Sequence, residues 1–284
     1  MSSWSAGPLL GFDTETTGVD VTTDRIVTAA LVRRDARGTS VRTWIIDPGV
    51  EIPAPASAIH GISTERARAE GVAPALALEE IAAQLVEAQR DGVPVVAFNA
   101  AYDLAILEHE LARHGLPGMG ERLSGDRGTV LDPLVLDRYV DGARKGPRKL
   151  VDLCELYLVP TGDLHTAEVD VVATLDLLAA MAGRHPQLSG STPAQLHVLQ
   201  VAAHEDWVRS YNRWRARRGL PWPGDDQGWP TPSRPSRRTR LVRRATWYLD
   251  VVRGLPRRLV RRLRRPGENE AGAVSRREPQ RREL

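Results

Sequence analysis

Three short runs rich in apolar residues lie near the start of the chain. They are Leu9–Asp13, Arg25–Val32 and Ser40–Ile46. The pairs Thr17-Gly18 and Arg37-Gly38 lie between the runs, and such pairs break regular structure and favour turns. Short apolar runs separated by turn residues predict an antiparallel meander of three strands.

Helical periodicity dominates after the third strand. Leu104, Leu107 and Leu111 recur at helical spacing ahead of Gly115, which predicts a helix that ends at this glycine. The predicted helices are Pro74–Arg90, Tyr102–His114, Pro133–Val140, Leu150–Leu158 and Ala167–Ala182, and the two further strands are Val93–Phe98 and Thr129–Leu131. This order predicts the α/β class, with a mixed five-stranded sheet flanked by helices.

We predict a domain edge near Pro186. Residues 187–230 contain one more helical pattern, Pro193–Arg217, which ends before a Gly/Pro-rich stretch. Residues 231–284 begin with a Pro/Ser/Arg-rich stretch and end almost without apolar residues, so part of this tail is expected to be disordered. The expected organisation is a domain at 1–186, a C-terminal helical accessory segment at 187–230 and a basic tail at 231–284.

Charge also divides the chain at the start of this tail. The whole chain carries +3, whereas residues 231–284 contain 17 Arg, no Lys and 5 acids and therefore carry +12. The remaining residues carry −9. Arg pairs recur in the tail around Leu241, Trp247 and Leu249, a pattern compatible with a basic amphipathic helix. Three interpretations stay open: a solvated tail without function, contact with nucleic acid, or docking to an acidic membrane or protein surface.

Composition predicts an ordinary globular protein. Apolar residues make up 42% of the chain, which is enough for a core of normal size. The first residues lack the basic and apolar regions of a signal peptide, and no run approaches the ~20 apolar residues of a membrane span, so we expect a cytoplasmic protein. We interpret Cys154, the single cysteine, as a core residue.

Two carboxylates follow the apolar residues of the first strand. Asp13 and Glu15 are spaced by two, which on a strand places both side chains on one face. Neighbouring carboxylates repel each other, so the pair indicates either a divalent cation between them or a solvated turn where the strand ends. This local pattern alone does not choose between the two interpretations.

Three further polar residues are candidates for the same site. Asp103 lies in the first turn of a helix that follows a strand, where the helix dipole favours an acid and where active sites of α/β sheets gather. Asp170 interrupts an apolar helix, and a carboxylate on such a face needs a partner, for which a bound metal is one solution. We assign His165 to the preceding loop, from which it can swing over the site. Taken singly, each residue also has an ordinary structural or surface interpretation.

Together, these motifs resemble the DEDDh exonuclease family, the DnaQ-like proofreading group. Residues 12–18 resemble its first motif, residues 99–103 its second, and His165 with Asp170 its third. The third motif has a histidine five residues before its aspartate, and in this it resembles the DEDDh subgroup. The sister group has a tyrosine at a different spacing. The Ile-His-Gly-Ile sequence around His60 resembles a segment that often lies between the first two motifs.

The resemblance implies an RNase H-like fold with two Mg²⁺ or Mn²⁺ ions. By the same implication, Asp13, Glu15 and Asp170 ligate the first ion. Asp13 reaches the second ion, and Asp103 holds it directly or through water. Glu15 also orients the attacking water, and His165 accepts its proton as general base, a task suited to a group that titrates near neutrality.

The implied activity is removal of nucleoside monophosphates from the 3′ end of a nucleic acid, and the resemblance covers residues 8 to about 182. We expect Thr14 to meet the terminal nucleotide, Asn99 to support the site and His60 to contact substrate. The expected partners are a nucleic acid with a free 3′ end and a polymerase or repair protein.

Two other functions stay open. An exoribonuclease that trims RNA or short oligonucleotides has the same motifs, because the same metals attack either phosphodiester and contacts to the 2′-hydroxyl are not visible in sequence. We favour DNA because the motifs resemble the proofreading group. The other alternative is a non-catalytic binding protein or scaffold that works through its basic tail, and the presence of all four acids and the histidine argues against it.

Overall fold

The computed structural model describes residues 4–125, 128–162, 166–220 and 228–230. Its strands are β1 Leu9–Thr16, β2 Ile26–Asp35, β3 Gly38–Ile45, β4 Val95–Val96 and β5 Val130–Leu131. Its helices are α1 Ala54–His60, α2 Thr64–Glu70, α3 Pro74–Arg90, α4 Ala100–Arg113, α5 Met119–Arg122, α6 Pro133–Val140, α7 Leu150–Leu156, α8 Ala167–Arg184, α9 Pro186–Ser189 and α10 Pro193–Arg217. Each predicted strand and helix corresponds to one of these elements, and α1, α2, α5 and α9 are additional short helices.

The five strands form one sheet in the order β3-β2-β1-β4-β5. β1 pairs antiparallel with β2, and β2 pairs antiparallel with β3, which confirms the predicted meander. β4 pairs parallel with β1, and β5 pairs parallel with β4. The carboxyl ends of β1, β4 and β5 therefore lie at the same edge of the sheet.

The bounds of the strands differ from the prediction by up to three residues, and the differences in β1 and β4 lie nearest the site. β1 continues to Thr16 instead of ending at Asp13, because its antiparallel pairing with β2 runs on to Thr16 opposite Ile26, with a register shift after Glu15. Both carboxylates therefore lie on the strand and not in a turn. β4 is shorter than expected, since Pro94 before it has no amide hydrogen to donate and the chain turns into α4 soon after it.

The two faces of the sheet pack against different helices. Leu10 of β1 lies in an apolar cluster with buried side chains of α3 and α4. Leu9 lies in a second cluster, with buried side chains of α7 and α8 and with Cys154, which confirms that the cysteine is a core residue. Because successive strand side chains point to opposite faces, Gly11 and Asp13 share the α8 face with Leu9.

The helical pattern beyond residue 186 forms α10, which is 25 residues long. Thr192 and Gln195 close its N-terminus with a reciprocal pair of hydrogen bonds. Its buried side chains are spaced by four: Leu196, Gln200, His204 and Val208. The helix packs against β5 and α6. Among the helices in the described ranges, none is long and apolar enough to cross a membrane. The predictions for residues 231–284 lie outside the described residues.

Candidate active site

Three acids come together between β1 and α8. Asp13 and Glu15 lie on β1, and Asp170 lies in the first turn of α8. One carboxylate oxygen from each lies within 4.8 Å of the oxygens from the other two. Close packing brings the two elements together, since a Cβ built at Gly11 would lie 2.3 Å from Val171 Cγ1. Glycine at this position therefore lets α8 approach the strand that carries the acids.

Asp103 reaches the same edge of the sheet from α4. This helix begins soon after β4, and its N-cap residue Asn99 has a left-handed backbone with φ 60°. Asp103 is only 3% exposed. Its Oδ1 accepts hydrogen bonds from the backbone N–H of Thr14 at 3.0 Å and from the Thr14 hydroxyl at 2.6 Å. Thr14 therefore ties α4 to β1 at the point between Asp13 and Glu15.

The clustered carboxylates raise the pKa values of Asp13 and Glu15. Burial raises the pKa of Asp13 well above its usual value, and its three acidic neighbours raise it further. Burial, followed by the charges of Asp170 and Asp103, raises the pKa of Glu15 to about 8. Burial also raises the pKa of Asp103 to about 7, although its hydrogen bonds from Thr14 act in the opposite direction. A divalent cation among these oxygens would relieve the repulsion.

The donor set fits a hard divalent cation. Every candidate ligand atom is a carboxylate oxygen, the type of donor that Mg²⁺ and Mn²⁺ prefer. Asp13, Glu15 and Asp170 supply three clustered oxygens that suit one ion. Asp103 supplies a fourth carboxylate close enough to raise the pKa of Asp13. These residues can therefore bind a metal without any other type of ligand.

A cleft of about 140 Å³ opens beside Glu15. Thr16, His60 and Tyr102 are among the residues that line it. The Tyr102 hydroxyl donates to the backbone carbonyl of Gly18 at 2.5 Å and lies 2.7 Å from Thr16 Oγ1, so its position is fixed. His60 is buried, and burial lowers its pKa to about 4, which leaves the imidazole neutral near pH 7.

The structure brings the four predicted acids to one edge of the sheet, with Thr14 between two of them. His60 lines the adjacent cleft. Asn99 lies at the start of α4, and its backbone N–H donates to Asp132 Oδ1 at 3.0 Å. His165 lies outside the described residues. The binding roles of Thr14, Asn99 and His60 and the catalytic role of His165 stay predictions.

Sequence reasoning missed Asp132 and Tyr102. Asp132 is 1% exposed and caps α6, while also accepting hydrogen bonds from the start of α4. Its signal was present, because an aspartate followed by Pro133 is typical of a helix N-cap with proline at the first helical position. Tyr102 has no such signal, since an aromatic residue beside Asp103 on a helix is indistinguishable from a core residue.

Comparison with known proteins identifies the family. The RNase_T family model, described as Exonuclease, matches residues 10–178. The DNA polymerase III subunit epsilon-like protein of Rhodobacter capsulatus is 33% identical over 213 residues, which are 71% of this chain and 27% of that protein. The DNA polymerase III PolC-type protein of Lacticaseibacillus paracasei is 27% identical over 182 residues, which are 64% of this chain and 12% of that protein. The chain therefore spans well under half the length of either relative.

Solved structures share the fold. E. coli exonuclease I in complex with a dA16 oligonucleotide aligns with a TM-score of 0.55 and 20% identity over 65% of this chain and 42% of that one. Exonuclease X in complex with 5′ overhanging duplex DNA aligns with a TM-score of 0.50 and 22% identity over 68% of this chain and 99% of that one. The fold and the acid cluster together define an RNase H-like nuclease domain. Within that class, the chain belongs to the exonuclease family.

Proposed function

We propose that this chain is a metal-dependent 3′–5′ exonuclease that releases nucleoside monophosphates from the 3′ end of single-stranded DNA. The observation that carries the proposal is the cluster of Asp13, Glu15 and Asp170, in which one carboxylate oxygen of each lies within 4.8 Å of the others. Membership of the exonuclease family supports the proposal.

Two Mg²⁺ or Mn²⁺ ions are the proposed cofactors. Asp13, Glu15 and Asp170 would hold one ion, and Asp13 with Asp103 would hold the other. When bound, such a pair supplies a nucleophilic water at neutral pH and stabilises charge on the attacking and leaving oxygens. Thr14 contributes indirectly, because its two hydrogen bonds fix the orientation of Asp103.

Two residues are proposed to act on the attacking water. We propose that Glu15 orients the water and that His165 accepts its proton, which suits a group that titrates near neutrality. The water oxygen bonds to phosphorus as the bond from phosphorus to the leaving 3′ oxygen breaks, and that oxygen takes up a proton. The products are a nucleoside 5′-monophosphate and a strand one nucleotide shorter. The role of His165 rests on the motif resemblance.

We propose that the terminal nucleoside binds in the cleft beside Glu15. The neutral imidazole of His60 offers an uncharged wall for a base or sugar. Thr14 also lines this cleft, and its hydroxyl donates a hydrogen bond to Asp103. Asn99 would support the site indirectly, as the N-cap residue of α4, the helix that carries Asp103.

DNA is the proposed substrate because of the named relatives. Both curated relatives are DNA polymerase III proteins, and the exonuclease I structure contains a DNA oligonucleotide. A polymerase or repair protein is the proposed protein partner on the same grounds. We further propose that the Arg-rich residues 231–284 contact nucleic acid, since a segment of charge +12 can offset the −9 of the remaining residues.

The test compares matched 3′-labelled strands of DNA and RNA. We expect mononucleotide release from DNA in Mg²⁺ or Mn²⁺, with slower turnover of RNA. Asp170→Asn should abolish release, whereas the control Asp176→Asn on the same helix should not, because Asp176 is instead paired with Arg34 at 2.7 Å. Faster turnover of RNA would reassign the chain to the exoribonucleases. Turnover of neither strand would contradict the proposal.

A further inference from the structure

Asp132 joins the starts of two helices. It follows β5, is 1% exposed and caps α6. Its Oδ1 accepts hydrogen bonds from Asn99 N at 3.0 Å and Leu134 N at 2.9 Å, and its Oδ2 accepts one from Ala100 N at 3.0 Å. The first N–H groups of a helix lack intrahelical acceptors and attract negative charge. One buried carboxylate therefore holds the first residues of α4 and α6 together.

The α4 end of this network leads to the proposed metal site. Asp103 lies in the first turn of α4, three residues after Ala100. Asp132 holds the base of that turn, and Thr14 holds Asp103 itself. Asn99 has a left-handed backbone, which asparagine adopts more readily than most residues other than glycine, and its N–H donates to Asp132. If the base of the turn shifts, Asp103 moves relative to the acids on β1.

Helix α10 supplies the next layer of the network. Gln200 is fully buried, and its Oε1 accepts from Asp132 N at 2.7 Å while its Nε2 donates to Val130 O at 3.0 Å. His197 Nδ1 accepts from Val130 N at 3.1 Å. β5 is an edge strand, whose outward N–H and C=O groups need partners when they are buried. The side chains of α10 therefore take the hydrogen-bonding positions that a sixth strand would occupy.

Trp229 approaches Asp132 from the far end of the same segment. Its side chain is 5% exposed and packs in an apolar cluster with Ala100 and Val130. Its Nε1 donates to Asp132 Oδ2 at 3.4 Å. Both Gln200 and Trp229 lie beyond residues 10–178, the part that the family model matches. The predicted helical accessory segment thus contacts Asp132 through Gln200 and Trp229.

We infer that Asp132 is a positioning residue for Asp103, and that α10, through Gln200, and Trp229 are part of the active-site scaffold. The inference rests on the proposed function, because it assumes that Asp103 binds a metal. The C-terminal accessory segment then affects metal affinity without contacting the metal. Loss of the residues that orient metal ligands weakens metal affinity or activity by about 10- to 100-fold.

The test measures Mn²⁺ binding by calorimetry on the full chain, together with kcat and KM on single-stranded DNA. Gln200→Met keeps the volume and removes the three hydrogen bonds of the side chain, which are those with Asp132 N, Val130 O and Leu196 O. It should weaken Mn²⁺ binding and lower kcat by about tenfold, with KM within about twofold. Asp132→Asn should have an effect of up to about 100-fold. Trp229→Phe removes one long hydrogen bond and should weaken Mn²⁺ binding and lower kcat by about threefold.

Two controls separate positioning from general destabilisation. Leu196→Ala creates a cavity on the same buried face of α10, one turn before Gln200. It should lower Tm without changing the Mn²⁺ affinity or kcat of the folded protein. In an Asp103→Asn background, Gln200→Met should add no further loss of Mn²⁺ affinity, because both changes act on one ligand.

Two results would overturn the inference. One is wild-type Mn²⁺ affinity in Gln200→Met, with a fall in Tm like that of Leu196→Ala. The other is full additivity of Gln200→Met with Asp103→Asn. A wild-type chain that binds Mn²⁺ but does not cleave DNA would refute the proposed function alone, and the Mn²⁺ titrations would still decide the role of Asp132 and Gln200.

Discussion

The two halves of the acidic site are held in place by different forces. Asp13, Glu15 and Asp170 are half-buried and lie where β1 packs tightly against α8. Asp103 is almost fully buried and is oriented by hydrogen bonds from Thr14. We call the first the packed half and the second the hydrogen-bonded half.

This difference predicts different sensitivities. In the packed half, added volume at the contact between β1 and α8 should move the acids, because well-packed contacts do not absorb an extra methyl group. In the hydrogen-bonded half, an isosteric change that removes one donor should be enough, because a buried carboxylate loses the stabilisation of its charge.

Loss of an acid from the packed half should have the largest effect. Asp13→Ala and Asp170→Ala should abolish turnover, a loss of at least about 10³-fold, because the metal contributes several kcal/mol to the transition state and each 1.36 kcal/mol is tenfold in rate. Single-turnover assays with 3′-labelled DNA measure this loss. Activity within tenfold of the wild type would mean that the packed half is not the metal site.

His165→Ala tests a residue that belongs to neither half. It should reduce turnover by about 10²-fold near neutral pH. The residual activity should recover partly as pH rises, since hydroxide can replace a missing general base. The pH profile of kcat measures the effect. If the variant matches the wild type between about pH 6 and pH 9, His165 is a bystander and the assignment to the DEDDh subgroup is wrong.

Gly11→Ala tests the packed half by volume alone. The added Cβ would lie 2.3 Å from Val171 Cγ1 and 3.2 Å from Leu175 Cγ, so these side chains of α8 or the helix itself must shift away from β1. We expect a loss of about 1–3 kcal/mol of stability from overpacking and a fall in kcat of about 10- to 100-fold from misplaced acids. Val171→Ala in the same chain should restore much of both quantities. A Gly11→Ala variant with normal kcat would show that packing does not position the acids.

Thr14→Val is the corresponding change in the hydrogen-bonded half. It keeps the shape of the side chain and removes the 2.6 Å hydrogen bond from the hydroxyl to Asp103. The backbone N–H of Thr14 still donates, so the expected fall in kcat is about tenfold, the smaller end of what a hydrogen bond to a charged group contributes. Unchanged kcat and unchanged Mn²⁺ affinity would show that the Thr14 hydroxyl does not orient Asp103.

The metal-free protein should lose stability as pH rises. The pKa of Glu15 is about 8 in the folded chain, above its usual value of about 4.3, so the folded state binds more protons than the unfolded state between these pH values. The destabilisation is therefore absent below about pH 4 and grows towards pH 8. Glu15→Gln should flatten the dependence of Tm on pH in a chelator. Parallel curves for the two proteins would contradict the pKa shift.

Truncation after Pro230 should leave kcat unchanged and weaken substrate binding. The lost residues carry +12 and the remaining ones −9, so the truncated chain should repel a nucleic-acid backbone. The salt dependence of binding should become shallower by about 0.7 to 0.9 log unit for each lost phosphate contact. Equal affinity and equal salt slope would exclude a nucleic-acid role, and binding of the isolated tail to anionic vesicles would then favour a membrane role.

The packed half could be predicted from sequence and the hydrogen-bonded half only in part. Asp13 and Glu15 could be placed on one face of a strand from their spacing alone. Asp170 was recognised from the order of the three motifs. The full length of β1 was not visible, because it depends on pairing with β2. The contact between Gln200 and Asp132 joins residues 68 positions apart, and no local periodicity contains it.

The most direct test of the central claim follows 5′-labelled single-stranded DNA during incubation with the purified chain. In Mg²⁺ or Mn²⁺, the strand should shorten from its 3′ end with release of nucleoside monophosphates. The reaction should stop when the metal is chelated and resume when it is restored, because the clustered acids cannot act without their ions. Shortening that survives thorough chelation, or cleavage only at internal positions, would contradict the account.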